Sequence, residues 1–151
     1  MVMVPRVPRS AAVLGTLGLT PFVGLATGAA VSDDSLQAAM TTALVAYGAV
    51  ILSFLGGIQW GLALQHGGDG TPRAGLLCLS VVPSLAGWAA LLLTSPSIGA
   101  GLLAGCFAAV FAIDAWLSMR GAAPSWYPRL RAPLTIIAAT SLIVASLADV
   151  P

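Results

Sequence analysis

The sequence of 151 residues contains no lysine, no glutamate and no asparagine, and only 7% of its residues are charged. A soluble domain carries roughly 25% charged residues. A chain so poor in charge cannot cover a water-facing surface, so we expect lipid to form part of its surroundings. Its mean hydropathy of +0.98 agrees with this expectation. The composition therefore predicts an integral membrane protein.

The sequence also lacks the residue sets that mark common binding sites. A formal net charge of +1 offers no concentrated basic surface, so we expect no nucleic-acid partner. Cys78 and Cys106 both lie in apolar stretches, and together with the single histidine, His66, they form neither a disulfide framework nor a zinc pattern. The sequence accordingly predicts no catalytic residue, no metal site and no cofactor.

Five apolar segments are long enough to cross a bilayer, whose hydrocarbon core of about 30 Å needs about 20 helical residues. They cover residues 11–31, 38–64, 74–94, 98–117 and 133–148. The predicted fold is an all-α membrane protein with a single transmembrane domain, a bundle of five transmembrane helices.

The first segment has a second interpretation as a cleavable signal peptide, because Arg6 and Arg9 precede an apolar stretch that ends in small residues near Gly28. Its apolar run of about 21 residues is longer than the roughly 7 to 15 residues usual in a signal peptide. Pro21 lies in mid-segment, where a membrane helix tolerates proline because neighbouring groups satisfy the freed carbonyl. We therefore favour a retained helix.

All six arginines fall on one side of a five-span arrangement. They are Arg6, Arg9, Arg73, Arg120, Arg129 and Arg131, whereas the other side holds Asp33, Asp34 and Asp149. Because basic residues concentrate in cytoplasmic loops, this distribution predicts a cytoplasmic N-terminus and a C-terminus outside. It also supports five spans, since removing one internal span would put arginines on both sides.

Three pairs of glycines with a spacing of four residues each lie on one helical face. They are Gly24 with Gly28, Gly57 with Gly61, and Gly101 with Gly105. Helices in lipid associate through close backbone approach and hydrogen bonds. The pairs favour tight packing between helices of this chain, and they are weak evidence for self-association in a sequence with 17 glycines.

Asp114 is the clearest candidate for a special role, because an ionisable group at membrane depth is costly. It lies about one turn inside the end of the fourth predicted helix, where the negative end of the helix dipole disfavours a carboxylate. We therefore predict that it has a partner, either Arg129 or Arg131 across the fourth loop. A structural ion pair is the favoured role, and a proton or substrate role is the alternative.

A wider set of polar and aromatic residues is expected at the depth of Asp114. This predicted rim comprises Gln59, Trp60, His66, Asp114, Trp126, Tyr127, Arg129 and Arg131. Gln59 and His66 are seven residues apart and so share one face of the second helix. We favour a hydrogen-bonding contact between helices for Gln59, a solvated position for His66, and a structural clasp over a binding site for the set.

Several sequence elements carry a resemblance to a known family. They are residues 19–22, 46–61, 83–88, 124–131 and 133–135, which occur in the expected order along most of the chain. The chain resembles the family catalogued as domain of unknown function 3429, a bacterial inner-membrane family with mitochondrial relatives that include the animal transmembrane protein 69. The resemblance implies a multi-pass protein of the cell inner membrane, or of the mitochondrial inner membrane, and implies no activity. A histidine commonly precedes Trp60 in that family's pattern, and Gln59, which replaces it here, can keep a hydrogen-bonding role.

Three functional classes remain. The favoured class is a small non-enzymatic accessory or assembly component of a larger membrane complex, because the loops are short and the spans hold few polar groups. One alternative is a small transporter or channel component, for which Pro21 and Pro83 could mark broken helices. Another is a membrane enzyme or lipid-binding protein. The expected partners are the lipid bilayer and another membrane protein or complex, and the oligomeric state stays open.

Overall fold

A computed structural model of the chain describes residues 6–65 and 73–148. These residues form six helices and no strand. The helices are α1 Arg9–Leu17, α2 Thr20–Val31, α3 Asp34–Gln65, α4 Arg73–Leu93, α5 Pro96–Met119 and α6 Tyr127–Ala148. Within the described residues, five spans are long and apolar enough to cross a membrane, with α1 and α2 together forming the span Arg9–Val31. The predicted helical membrane fold is confirmed.

The first span is not the single helix that the sequence predicts, because it breaks at Gly18, between α1 and α2. Pro21 lacks the N–H that a continuous helix would donate to the carbonyl of Leu17. That carbonyl instead accepts a hydrogen bond of 2.6 Å from the Thr20 hydroxyl. A carbonyl that would otherwise be unpaired in lipid is thereby satisfied.

The break is also tied to a neighbouring helix. The Tyr47 hydroxyl of α3 donates a hydrogen bond of 2.9 Å to the carbonyl of Gly18. Pro83, the other candidate for a broken helix, lies inside an uninterrupted α4. Only the first of the two proline positions therefore marks a break.

The last span begins six residues before the predicted residue 133. α6 starts at Tyr127 and contains Pro133 in its interior. Pro128 occupies the first turn of α6, where the fixed φ of proline suits a helix and its missing N–H costs nothing. Arg129 and Arg131 are therefore residues of the first two helical turns and not of a loop.

α3 likewise begins four residues before the predicted residue 38, at Asp34. The preceding residue, Asp33, accepts a hydrogen bond of 3.3 Å on its carboxylate from the N–H of Leu36. A side-chain oxygen in this position satisfies one of the unpaired donors at a helix start. The cap extends α3 to 32 residues, the longest helix that the structure describes.

The spans alternate in direction, so that α1, α4 and α6 begin at one end of the bundle, where α3 and α5 end. We call this the arginine end, because every arginine of the chain lies in or next to one of these helix termini. Contacts across it join late α3, late α5 and early α6 through hydrogen bonds between their side chains. The membrane side that this end faces stays a prediction from the sequence.

The remainder of the bundle has an apolar core. Leu44, Leu103 and Leu142 come from α3, α5 and α6 and are fully buried in one cluster. Phe22 of α2 packs edge-on against Phe107 of α5, with ring centroids 5.6 Å apart. The core of this region therefore depends on shape and dispersion, and the buried ion pair seen among the described residues lies at the arginine end.

α3 and α4 cross with their backbones close together. A Cβ added at Gly56 would collide with the carbonyl oxygen of Ser80, and one added at Gly87 would lie 3.0 Å from Cα of Ala49. Side chains at these two glycines would force the helices apart. The absence of a side chain is thus required at the helix crossing.

The glycine pairs that the sequence suggested are mostly elsewhere. A Cβ added at Gly57, Gly61, Gly101 or Gly105 would meet nothing within 4 Å, and only Gly28 faces a neighbour, the side chain of Met40. The prediction that these pairs pack within the chain is therefore wrong for the pairs on α3 and α5. Their spacing identifies a common face of a helix, but the rotation of that helix in the bundle decides whether the face points inward.

Candidate functional site

Asp114 is the centre of a buried polar cluster at the arginine end. Its side chain, on α5, is 1% exposed. Arg131 of α6 donates a hydrogen bond of 3.1 Å from Nε to its Oδ2, and Gln59 of α3 donates one of 3.2 Å from Nε2 to its Oδ1. The predicted ion pair of Asp114 is confirmed, with Arg131 as the partner. We call these three residues the polar clasp.

Each clasp residue lies on the buried face of its helix. On α5, Asp114 follows Phe107 and Val110 and precedes Leu117 at spacings of three and four residues, and all four are buried. Such spacings put side chains on one side of a helix. The clasp residues therefore point inward because they share a helix face with buried apolar residues. They extend the core toward the arginine end.

A tight connection brings α6 back against the end of α5. Gly121 has a positive φ of 73°, a conformation that glycine adopts without strain. The N–H of Ala122 bonds the carbonyl of Leu117 at 2.9 Å, and the N–H of Gly121 bonds that of Ser118 at 3.1 Å. This pair of bonds is the Schellman arrangement that ends many helices. The early turns of α6 consequently return beside α5, which puts Arg131 opposite Asp114.

The charges of the clasp compensate each other inside the bundle. Burying a charge is tolerated when it is paired and hydrogen-bonded, and both carboxylate oxygens of Asp114 accept a bond. The guanidinium of Arg131 therefore balances the charge of the Asp114 carboxylate inside the bundle. Among the described residues, Gln59 Oε1 and Arg131 Nη2 have no hydrogen-bond partner.

Comparison with known proteins identifies the family of this chain. Residues 7–147 match the family described as protein of unknown function (DUF3429). The chain belongs to this family. The match includes every residue of the polar clasp, and it confirms the resemblance seen in the sequence.

Two relatives of this DUF3429 member are described as transmembrane protein 69. The protein of Xenopus tropicalis is 38% identical over 136 residues, which cover 90% of this chain and 53% of the frog protein. The protein of Mus musculus is 29% identical over 137 residues, which cover 91% of this chain and 55% of the mouse protein. The chain thus spans about half the length of these curated relatives. No solved structure matches it.

The structure of this DUF3429 protein separates the predicted rim into three groups. Tyr127 is buried beside the clasp and contacts the ring of Trp126 edge-on, with centroids 6.1 Å apart. Trp60 and Arg129 are exposed and take no part in the clasp. His66 lies outside the described residues. The fold therefore brings Gln59, Asp114 and Arg131 together, with Tyr127 and its neighbour Trp126 beside them.

A cavity beside the clasp was not predicted from the sequence. A cavity of about 380 Å³ lies between α1, α2, α3, α5 and α6, and Tyr127 and Arg131 line it. Its other lining residues are alanine, glycine, leucine, isoleucine and aromatic residues from distant parts of the chain. No local pattern reports such a cavity, although the buried phenol and guanidinium could have been recognised as unusual at this depth.

The described residues hold no group of three or more His, Cys, Asp or Glu side chains that could bind a metal ion. Tyr127 and Arg131 line the apolar cavity, and Arg131 and Gln59 donate hydrogen bonds to Asp114 beside it. The hydrogen bonds of Asp114 with Gln59 and Arg131 join α3, α5 and α6.

Proposed function

We propose that this protein is a small non-enzymatic accessory or assembly component of a larger membrane complex. Its outer surface would bind a transmembrane helix of another protein, and its polar clasp would keep that surface in a fixed shape. The proposal extends what is established for the chain, namely that it is a multi-pass membrane protein of a family without a known activity.

The outward face of α5 is the observation that supports this proposal most directly. Gly101, Gly105, Ala108 and Ala112 are all exposed, and their spacings of four, three and four residues put them on one stripe. Side chains added at the two glycines would meet nothing within 4 Å. Interfaces between membrane helices are enriched in such small residues because the backbones can then approach closely.

The polar clasp supports a structural role over a chemical one. A catalytic acid or base needs an ionisable group with access to a substrate. Asp114 instead has both carboxylate oxygens engaged by Gln59 and Arg131. Its contacts join α3, α5 and α6, and so would hold the small-residue face of α5 at a fixed rotation.

Co-purification tests the proposal. Full-length protein carrying an affinity tag is purified from its native membrane in a mild detergent, as the wild type, as Gly105→Leu and as Gly24→Leu. Both glycines are on outer faces with open space around them, but Gly24 belongs to α2. We expect a stoichiometric membrane-protein partner with the wild type and with Gly24→Leu, and loss of that partner with Gly105→Leu.

Other outcomes of the same purification contradict the proposal. A protein that purifies alone, a partner that Gly105→Leu retains, or a complex made only of copies of this chain would each count against an accessory role mediated by α5. A photo-crosslinking amino acid at Ala108, with the exposed Val23 of α2 as the control position, locates the contact independently.

We further propose that the protein lies in the cell inner membrane with its arginine end in the cytoplasm and its C-terminus outside. The support is the concentration of all six arginines at one end of the bundle. Alkaline phosphatase fused after Pro151 should be active and a fluorescent protein fused there should be dark, whereas a fluorescent protein before Met1 should be bright. The reverse pattern would invert the topology.

A further inference from the structure

The cavity beside the clasp is partly open and reaches from the core of the bundle to its surface. Its inner end is lined by the buried residues Phe22, Leu55 and Phe107. Leu14 of α1 and Phe54 of α3 also line it, and they are 70% and 64% exposed. Because both residues lie within membrane spans, their exposed surface faces lipid. The opening of the cavity beside them therefore leads into the bilayer.

α1 forms one wall of this cavity. It packs against α6, where a Cβ added at Gly15 would lie 2.8 Å from Cδ1 of Leu134. No residue of α1 is buried, and the helix ends at the break at Gly18. The wall is thus one helix thick with the bilayer behind it, so that a molecule of the bilayer can reach the cavity from the side.

The interior of the cavity is apolar. Tyr127 and Arg131 line it, but the Tyr127 hydroxyl and Nη2 of Arg131 have almost no accessible surface and so do not face it. The other lining side chains that the structure describes are aliphatic or aromatic. A buried water needs about 2–4 polar partners, which these walls do not offer. The occupant that suits the cavity is therefore a hydrocarbon.

The size of the cavity selects among hydrocarbons. An apolar cavity of about 150 Å³ already binds a molecule as large as benzene, and this one has a volume of about 380 Å³. A single turn of a helix about 10–12 Å wide and about 5.4 Å tall needs more than that volume, so a partner helix does not fit. A flexible acyl chain can enter through a side opening and fill an irregular space of this size.

Basic side chains lie near the cavity at the arginine end. Arg9 is two residues before Ala11, and Arg129 is directly before Leu130; both arginines are exposed, whereas Ala11 and Leu130 line the cavity. Trp126 also lines it, and tryptophan is enriched at the level of the lipid head groups. Exposed arginines at this level attract anionic lipids. A lipid whose chain occupies the cavity would thus have its head group among positive charges.

We propose that this cavity binds one acyl chain of an anionic phospholipid from the leaflet at the arginine end. The chain enters beside Leu14 and Phe54, and the head group lies against Arg9 and Arg129. A bound chain provides the dispersion contacts that the walls of an empty cavity lack. The site is separate from the outward face of α5, so this proposal and the proposed function can fail independently.

Mass spectrometry of the intact protein–lipid complex tests the proposal. Full-length protein is reconstituted into vesicles of dioleoylphosphatidylglycerol and dioleoylphosphatidylcholine in equal mole fractions, extracted in a mild detergent and measured under conditions that preserve complexes. The two lipids have the same chains, so their ratio on the protein reports the head group alone. We expect one retained phospholipid, predominantly phosphatidylglycerol.

A pair of variants on α6 tests whether the retained chain lies in the cavity. Leu134→Phe enlarges a side chain that lines the cavity and should lower lipid retention about tenfold, the effect of displacing about two methylene groups of the chain. Ile136→Phe makes the same kind of change at a position that is 64% exposed and should leave retention unchanged.

A second pair of variants tests the head group. Arg9→Gln should lower the ratio of phosphatidylglycerol to phosphatidylcholine roughly two- to fivefold, the effect of one basic side chain at an anionic surface. Arg120→Gln is the matched control at the arginine end, because Arg120 ends α5 and stacks on Trp116, 4.9 Å from the ring centroid. It should leave the ratio unchanged.

Several results would overturn the proposal. They are a wild-type protein that retains no phospholipid, equal retention in Leu134→Phe and Ile136→Phe, and equal amounts of the two lipids on the wild type. If Leu134→Phe fails to fold, Ala11→Phe on the thin wall of the cavity takes its place, with Ala12→Phe, which does not line the cavity, as its control. Equal retention in that pair would likewise contradict an acyl-chain site.

Discussion

At the arginine end, α3, α5 and α6 meet through hydrogen bonds to one carboxylate, whereas in the rest of the bundle the same helices meet through aliphatic and aromatic side chains. Asp114 is bonded from two sides at 3.1 and 3.2 Å. Leu44, Leu103 and Leu142 are fully buried in one hydrophobic cluster. Directional bonds fix the rotation and register of helices, while apolar contacts tolerate small shifts.

The apolar core and the polar clasp have different roles in the fold. In lipid there is little hydrophobic drive between helices, so close packing provides most of the attraction in the apolar core. A buried ion pair adds little net stability because desolvation offsets the attraction, but leaving one partner alone is costly. We infer that the clasp selects one arrangement of three helices that the core alone would hold less specifically.

Removing the arginine of the clasp should have the largest effect. Arg131→Met leaves the Asp114 carboxylate buried with only Gln59 as a partner, and we expect a loss of about 3–5 kcal/mol in the free energy of unfolding. Denaturation in mixed micelles, followed by helical circular dichroism, measures it.

Arg129→Met is the matched control for that loss, since Arg129 lies two residues away on the exposed side of α6. A change within about 0.5 kcal/mol is expected for such a surface position. Equal destabilisation by Arg129→Met and Arg131→Met would show that these arginines stabilise the protein by contacts with the membrane surface and not through the clasp.

Adding a side chain where α3 crosses α4 should have the next largest effect on stability. Gly56→Ala would drive a Cβ into the Ser80 carbonyl and should cost about 1–3 kcal/mol as the helices separate. Gly57→Ala, one residue away with open space around it, should be neutral or stabilising by up to about 1 kcal/mol. The unfolding midpoints of the two variants in detergent measure the difference. If Gly57→Ala were the more destabilising, the face of α3 that packs against α4 would not be the one that contains Gly56.

Removing the hydrogen bond between Gln59 and Asp114 should have the smallest effect on stability. Gln59→Leu keeps a similar volume and removes one hydrogen bond to Asp114, and polar contacts between membrane helices average about 0.6 kcal/mol with a maximum of about 1.7. We expect a loss in this range, well below that of Arg131→Met. A loss as large as that of Arg131→Met would mean that the amide, and not the ion pair, fixes the clasp.

The sequence predicts those features that depend on local composition or on a strong physical cost. Hydropathy identifies the spans, because each must supply about 20 apolar residues. The partner of Asp114 could be anticipated since an unpaired buried carboxylate is so unfavourable. Both inferences need only the neighbouring residues and the order of the spans.

Features that depend on the rotation of whole helices were not predictable in this way. The spacing of Gly101 and Gly105 defines a face but not its direction, and the structure turns that face outward. The break at Pro21 is stabilised in part by Tyr47, which is distant in sequence and becomes a partner only when α2 packs on α3. The cavity beside Tyr127 likewise arises from five helices at once.

A double-mutant cycle tests most directly whether Asp114 and Arg131 form a structural clasp. The free energy of unfolding is measured for the wild type, Asp114→Leu, Arg131→Met and the double variant. If the two side chains form a structural clasp, each single substitution costs about 3–5 kcal/mol and the double variant regains most of this loss, because no unpaired charge is left buried. Additive losses, with the double variant less stable than either single one, would contradict a structural clasp between these two side chains.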